Sequence, residues 1–277
     1  MTAVDDRTGA DAPPFATRTE LVSWWDNTWL VRAVSADGTV LTCLATRTGR
    51  ESCLLDELLP RRRDPRLAGL LVAAADRVRD DLGVTTVLAV HPADWDEHLS
   101  GHGVTPLHRM AHLGLLLDDE QLRAHHRPLP DGHAIVPLHT TTEADLAGLS
   151  TGPGRERDLA VWRDVRSGGY GPVIADASLA VGTGSGVTAA IAVSEYRGRP
   201  LIGHCVTGEA HRGHGLGRAV LVESLRRLAA AGYADCHLNV VADNWIAHRL
   251  YRSVGFSPRR PPLRVTRIPD GGVRHGR

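Results

Sequence analysis

The chain has 277 residues, 42% of them hydrophobic, and a formal net charge of zero. That is enough for one large or two ordinary domains with real cores, too apolar for a disordered protein, and without the basic field that draws nucleic acid or an acidic membrane. No apolar run approaches the ~18–20 residues of a bilayer span, and the scattered Cys43, Cys53, Cys205 and Cys236 form no CxxC pair, so reduced thiols of a cytoplasmic protein are expected.

Residues 1–14 are acidic and small, with neither the basic nor the apolar region of a signal peptide, and are expected to be a disordered leader. A first domain is expected over residues 15–124. Its strands at 29–34 and 39–46 flank an Ala36-Asp37-Gly38 turn, a hairpin signal, and 51–58 supplies a third strand. Trp24, Trp25 and Trp29 are expected in its core. Residues 67–82 read as a helix stopped by Gly83, followed by a strand at 84–90, a short helix at 94–102, and an exit through Gly103 and Val104. His98/His102 and His108/His112 have the spacing of paired ligands on a helix, but no third ligand or HExxH carboxylate accompanies them, and no metal site is expected. Arg61, Arg62, Arg63 and Arg66 could hold an anion; a solvated face is the expectation.

The polar, turn-forming HHRPLPDG of residues 125–132 is expected to be a linker, leaving 133–277 as a second domain. There the sequence predicts a strand at 134–138, a helix opening on a capping box at Thr142 and Asp145, and a helix at 156–166. Strands follow at 178–181, 187–196 and 200–207, with turns at 182–186 and at Arg197-Gly198. Next come a helix at 218–231 stopped by Gly232, a strand at 236–241, a helix at 244–254 ended by Gly255, and a closing strand opened by Phe256. Helix, glycine, strand, short helix and glycine-apolar pair thus recur about 150 residues apart, Asp94-Trp95 matching Asn244-Trp245. A tandem duplication of an α+β layer fold is the expectation.

Between the strand ending at Thr207 and the helix beginning near Arg218 lies Gly208-Glu209-Ala210-His211-Arg212-Gly213-His214-Gly215-Leu216-Gly217. A helix start presents unpaired amides and the positive end of the macrodipole, and glycines let an anion approach the backbone. A GxGxG run also serves as a plain turn. No GK[ST] follows it, and an antiparallel hairpin precedes it, so neither a Walker A loop nor a dinucleotide fingerprint is indicated.

Arg212-x-x-Gly215-x-Gly217 resembles the [QR]xxGx[GA] motif of the GNAT superfamily of N-acetyltransferases, and Asn244-x-x-Ala247-x-x-Leu250-Tyr251-x-x-x-Gly255-Phe256 resembles that family's second signature. The clear resemblance covers residues 200–257. It implies two tandem GNAT-like domains, each a mixed, mostly antiparallel sheet flanked by helices. It further implies acetyl-CoA as co-substrate, its pyrophosphate on Arg212, Gly213, His214, Gly215, Leu216 and Gly217 and its pantetheine paired with Cys205, Val206 and Thr207. The acetyl carbonyl would lie in a splay between the strands ending near Thr207 and Val240, polarised by a backbone N–H near Val206. Asn244 matches the position that contacts pantetheine or seats the next helix, and Tyr251 the acid that protonates the departing thiolate.

The family fixes no general base; Glu195, His204 and Glu209 are the candidates on this chain. In the first domain the corresponding loop, residues 58–69, has no GxG and carries Pro65, while Leu99 or Ser100 stands for the tyrosine and Asp94 for the asparagine. That half is expected to be structural. The implied activity is transfer of an acetyl group to a primary amine of a small molecule or amino-acid-like metabolite. Alternatives are another acyl donor, acyl-CoA or aminoacyl-tRNA, and a CoA-binding sensor without turnover. No membrane or nucleic-acid partner is expected, and a homodimer is left open.

Overall fold

The structure, a computed structural model, describes residues 18–25, 27–48, 50–59, 64–152 and 154–270; the expected leader and Arg61, Arg62 and Arg63 lie outside them. The chain divides into two compact units, Met1–Arg109 with Pro262–Arg277, and Met110–Pro261.

The first unit opens with β1 (Arg18–Trp25), β2 (Thr28–Val34), β3 (Val40–Arg47) and β4 (Ser52–Leu59), an antiparallel ladder. Alternation along β3 turns Leu41, Cys43 and Ala45 onto Leu67, Leu70, Leu71, Ala74 and Val78 of α1 (Pro65–Leu82). This helix starts on Asp64, whose side chain accepts the Arg66 amide, and stops at Gly83, which takes φ 62° and donates to the Arg79 carbonyl. The crossover lays β5 (Thr86–His91) parallel to β4, and α2 (Asp96–Ser100) follows.

Next in the chain is β6 (Thr105–Leu116), which from Met110 onward belongs to the second unit. That unit adds α3 (Asp119–His125), β7 (Ala134–Pro137), α4 (Glu143–Ala147), α5 (Gly154–Arg166), β8 (Leu179–Thr183), β9 (Gly186–Tyr196) and β10 (Arg199–Thr207). It continues through α6 (Leu216–Ala230), β11 (Asp235–Val241), α7 (Trp245–Ser253) and the short β12 (Ser257–Pro258). Its sheet order is β6-β11-β10-β9-β8-β7, antiparallel except where β10 meets β11. One sheet face packs on α6 and α7 through Ile191, Val193, Leu238, Val220, Leu221 and Leu225. The other packs on α4 and α5 through Ala190, Ala192, Leu146, Trp162 and Val165. The final strand, β13 (Leu263–Ile268), returns to the first unit and pairs antiparallel with β5, burying Ile268 in that core.

Both units therefore run antiparallel strands, helix, parallel strand and helix, an α+β arrangement of mostly antiparallel sheets flanked by helices. The boundaries differ from the expected ones. Residues 125–132 are not the division: α3 is bound into the second core by Leu122, and Arg218 reaches His125 Nδ1 at 3.0 Å. The division falls at Arg109/Met110 and Pro261/Pro262 because the strand closing each series of elements joins the other sheet, β6 on β11 and β13 on β5. Trp24 is also not in the core; it lies on the edge strand β1, 64% exposed, while Trp29 packs against the core as expected. His108 and His112 stand on a strand, not a helix. No helix among the described residues is long and apolar enough to cross a membrane.

Candidate active site

The parallel pair β10–β11 is held only at Leu201–His237 and Ile202–Leu238. Beyond Ile202 the register with β9 shifts by one residue across Gly203, a β-bulge. From there β10 stays on β9 through Thr207–Ala189, while β11 stays on β6 through Val241–Met110. A Cβ at Gly203 would come to 3.2 Å from Val165 Cγ2 of α5, a tight contact that the valine would have to give way to. The strands thus part at mid-sheet, leaving the β11-facing edge of residues 203–207 without a ladder partner, and Cys205, Val206 and Thr207 all lie on that edge.

The same strand runs directly into the glycine loop. Residues 211–215 are exposed, and Gly213 and Gly215 take φ 82° and 78°, the left-handed region where an L side chain is strained. No side chain caps α6. Its first amide to reach a carbonyl is that of Ala219, on Gly215 at 2.9 Å, so the amides ahead of it are donors at the positive end of a 15-residue helix. Arg212 folds back with Nε 3.4 Å from the Thr207 carbonyl. His214 is exposed, and Leu216 roots the helix in the core. Thr151 Oγ1 donates to Glu209 Oε2 at 2.7 Å, fastening the loop entrance to the α4–α5 connection.

Across the opening, α7 presents Tyr251, 7% exposed and packed edge-on to Phe256. Burial raises its pKa well above the ordinary phenol value, with the Cys205 and Cys236 thiols adding to the effect. Cys205 is itself pushed up to about 12 by burial. The phenol therefore stands, protonated, beside Cys205 of β10. Asn244 caps α7, its Oδ1 accepting the Ala247 amide at 3.1 Å, which is the helix-seating role.

Of the base candidates, only His204 lies at the parting of the strands. The bulge sends it to the α5 face, where its ring meets Trp162 edge-on at 4.6 Å and Nε2 comes to 4.0 Å from Asp158 Oδ1. Burial lowers its pKa to about 4, helped by Arg157 and opposed by Asp158, so the ring is neutral at pH 7. Glu195 pairs with Pro200 at the opposite end of the β9–β10 hairpin, roughly 23 Å from Thr207 at about 3.3 Å per residue. Its carboxylate accepts the Tyr233 hydroxyl at 3.1 Å. The structure does not bring Glu195 and His204 together. Asp158, Ser150 and Trp162, which surround His204, were not foreseen: a single Asp in the run Arg155-Glu156-Arg157-Asp158 carries no local signal.

The first unit has the same frame with different chemistry. Its parallel pairing also stops early, at Leu55–Ala89, beside a bulge with Glu57 at φ 51°. Yet the α1 start is closed by the Asp64 carboxylate, which accepts from the Arg66 amide and is bidentate with the Arg66 guanidinium, and Pro65 at the first turn offers no N–H. The five-residue α2 ends at Ser100, with Leu99 fully buried, before the turn that would correspond to Tyr251. Trp95 is 2% exposed where its counterpart Trp245 is 68% exposed.

Residues 180–265 match the family model described as FR47-like protein. Among solved structures, a GCN5-related N-acetyltransferase from Sphaerobacter thermophilus aligns over 89% of this chain and 81% of its own at 19% identity and TM-score 0.61. A tandem GNAT protein from the clavulanic acid biosynthesis pathway aligns over 94% and 85% at 18% identity and TM-score 0.60. A GCN5-related N-acetyltransferase from Kribbella flavida aligns over 94% and 92% at 16% identity and TM-score 0.54. No curated protein matches.

Proposed function

We propose that the chain, which shares the fold of GNAT N-acetyltransferases and matches the FR47-like model over residues 180–265, is a member of the GNAT superfamily, and that its second unit transfers an acetyl group from acetyl-CoA to a primary amine of a small molecule or amino-acid-like metabolite. One observation carries this reading: the unpaired edge of β10 leads without interruption from a buried phenol, at Cys205, to an uncapped, glycine-lined helix start after Thr207.

In this reading the amides of Gly213, His214, Gly215, Leu216 and Gly217 receive the pyrophosphate of the donor, with Arg212 at the entrance. The main chain of Cys205, Val206 and Thr207 pairs with the pantetheine amides as an added strand would. A backbone N–H near Val206 faces the thioester oxygen, where a preorganised donor is worth several kcal/mol against developing negative charge.

The acceptor amine must be the free base when it attacks, so an amine that binds as an ammonium group first gives up one proton to solvent. Its lone pair then forms the C–N bond while the C–S bond breaks, the surplus proton passes from the nitrogen to the neutral His204 imidazole and on to solvent, and the thiolate is protonated. Tyr251 supplies that last proton. Burial makes the phenol a weaker acid, but the same dry surroundings make the thiolate a stronger base, so the transfer stays matched. Asn244 acts by fixing the first turn of the helix that holds Tyr251. His204 is the nitrogen acceptor nearest the chemistry on the α5 face; Glu195, bound to Tyr233, is assigned no step.

The first unit, with the α1 start occupied by Asp64 and without the tyrosine turn, is proposed to bind no CoA. Calorimetric titration with acetyl-CoA, followed by a thiol-release screen over amines, tests the reading. Absence of donor binding, or binding that survives replacement of the glycine loop, would remove it.

A further inference from the structure

On the α5 side of the parted strands stands a group of polar atoms that the donor site does not use. Asp158, on α5, has a side chain 22% exposed. Ser150 Oγ donates to its Oδ2 at 2.5 Å, which fixes the carboxylate plane and leaves Oδ1 directed to His204. The His204 Nε2 is buried and has no hydrogen-bond partner, and the same is true of the Trp162 Nε1 beside it.

We propose that Asp158 and His204 together form the receiving site for a cationic primary amine, which makes the acceptor of the transferase an alkylammonium compound. The proposal rests on the acyltransfer reading above and adds to it the charge class of the acceptor. Three features support it. The 4.0 Å between Oδ1 and Nε2 is too long for a hydrogen bond. A nitrogen about 2.9 Å from each atom would see them at an angle of roughly 90°, within reach of two N–H bonds of an ammonium group. An ammonium has three donors and no acceptor, and here it would meet one anionic and one neutral acceptor.

Second, an uncharged imidazole does not repel the incoming cation, and at neutral pH His204 is uncharged. Arg157 Nε stands 3.9 Å from the same carboxylate oxygen, but its side chain is 81% exposed and at that distance makes no hydrogen bond. Third, the bulge sets successive residues on opposite faces exactly where the ladder opens, His204 towards α5 and Cys205 towards Tyr251. An amine held at His204 thus comes to the opening from the face away from the phenol, so the nucleophile and the acid that protonates the departing thiolate do not compete for one space.

The test uses the full chain saturated with CoA and a series of straight alkyl mono- and diamines of two to six carbons, followed by titration calorimetry and by the imidazole resonances of His204. At least one of these amines is expected to bind and to shift those resonances. Asp158→Asn should raise its Kd and KM at least tenfold with kcat changed less than threefold and acetyl-CoA KM unchanged. Asp158→Glu should retain part of the affinity, which separates charge from folding. If CoA binds and no amine in the series does, or if Asp158→Asn binds it as wild type does, the receiving site is wrong while the transferase reading stands. If CoA itself fails to bind, both fall together.

Discussion

Gly217 leaves only enough room for Thr207: a Cβ at that position would come to 2.6 Å from the threonine Oγ1, well inside contact distance. The last residue of β10 and the second residue of α6 are thus packed against one another, which is how the strand edge and the helix start keep a common line. Gly217→Ala is expected to cost about 1–3 kcal/mol of stability through overpacking and, since the [QR]xxGx[GA] motif admits alanine at this position and the amide is kept, to leave CoA binding largely unchanged. Adding Thr207→Ala removes the obstructing oxygen and should return most of the stability. Denaturant titration and CoA calorimetry of the single and double variants measure both effects.

Tyr251→Phe removes one oxygen from a buried ring and leaves the contact with Phe256 in place. The expected result is a kcat lower by about 100-fold or more, the usual weight of a positioned general acid, with the CoA Kd within twofold of wild type. Steady-state thiol release and calorimetry make the comparison. A variant that turns over at the wild-type rate would show that the thiolate finds its proton elsewhere.

Local patterns read most of the elements well. The capping box at Thr142 and Asp145, the turn at Arg197-Gly198 and the stops at Gly83, Gly232 and Gly255 each stand where a short-range backbone rule puts them. The glycine loop was legible for the same reason. What escaped is non-local. The i,i+4 spacing of His108 and His112 fits one face of a helix and one face of a strand equally, so β6 left no distinguishing mark. The pairing of β13 with β5 links residues over 170 positions apart, and nothing in either strand names its partner. Gly203 did carry a signal, since an isolated glycine within a strand pattern marks a bulge, and with it the face of His204 could have been anticipated.

Acid should destabilise the protein in part through His204. The unfolded chain takes up this proton near pH 6.5, the folded protein only near pH 4, because burial disfavours the imidazolium. Above pH 6.5 both states leave the ring neutral and it contributes nothing to pH dependence. As pH falls from 6.5 to 4 the unfolded state alone binds the proton, so stability declines, by up to on the order of 3 kcal/mol, and levels off below. Urea midpoints at pH 7.5, 5.5 and 4.5 measure the slope, and His204→Gln should make it shallower, with His91 and His237, also lowered by burial, supplying the remainder.

One CoA per chain is the expected stoichiometry, because the α1 start is already satisfied by Asp64. Asp64→Ala should destabilise the first unit by about 1 kcal/mol, the usual value of an N-cap, without creating a second binding event. Calorimetry giving two sites in either protein would contradict the assignment of a single working loop.

The crossing of β6 and β13 between the sheets has a consequence for synthesis. Five residues of β13 complete the first sheet along β5, and they leave the ribosome only after the whole of the second unit. The first unit must therefore wait with one side of β5 uncovered until the second unit has been made. A protease or a chaperone meeting the nascent chain would find that side still open, and a fragment cut at the apparent midpoint would carry away a strand that belongs to its neighbour.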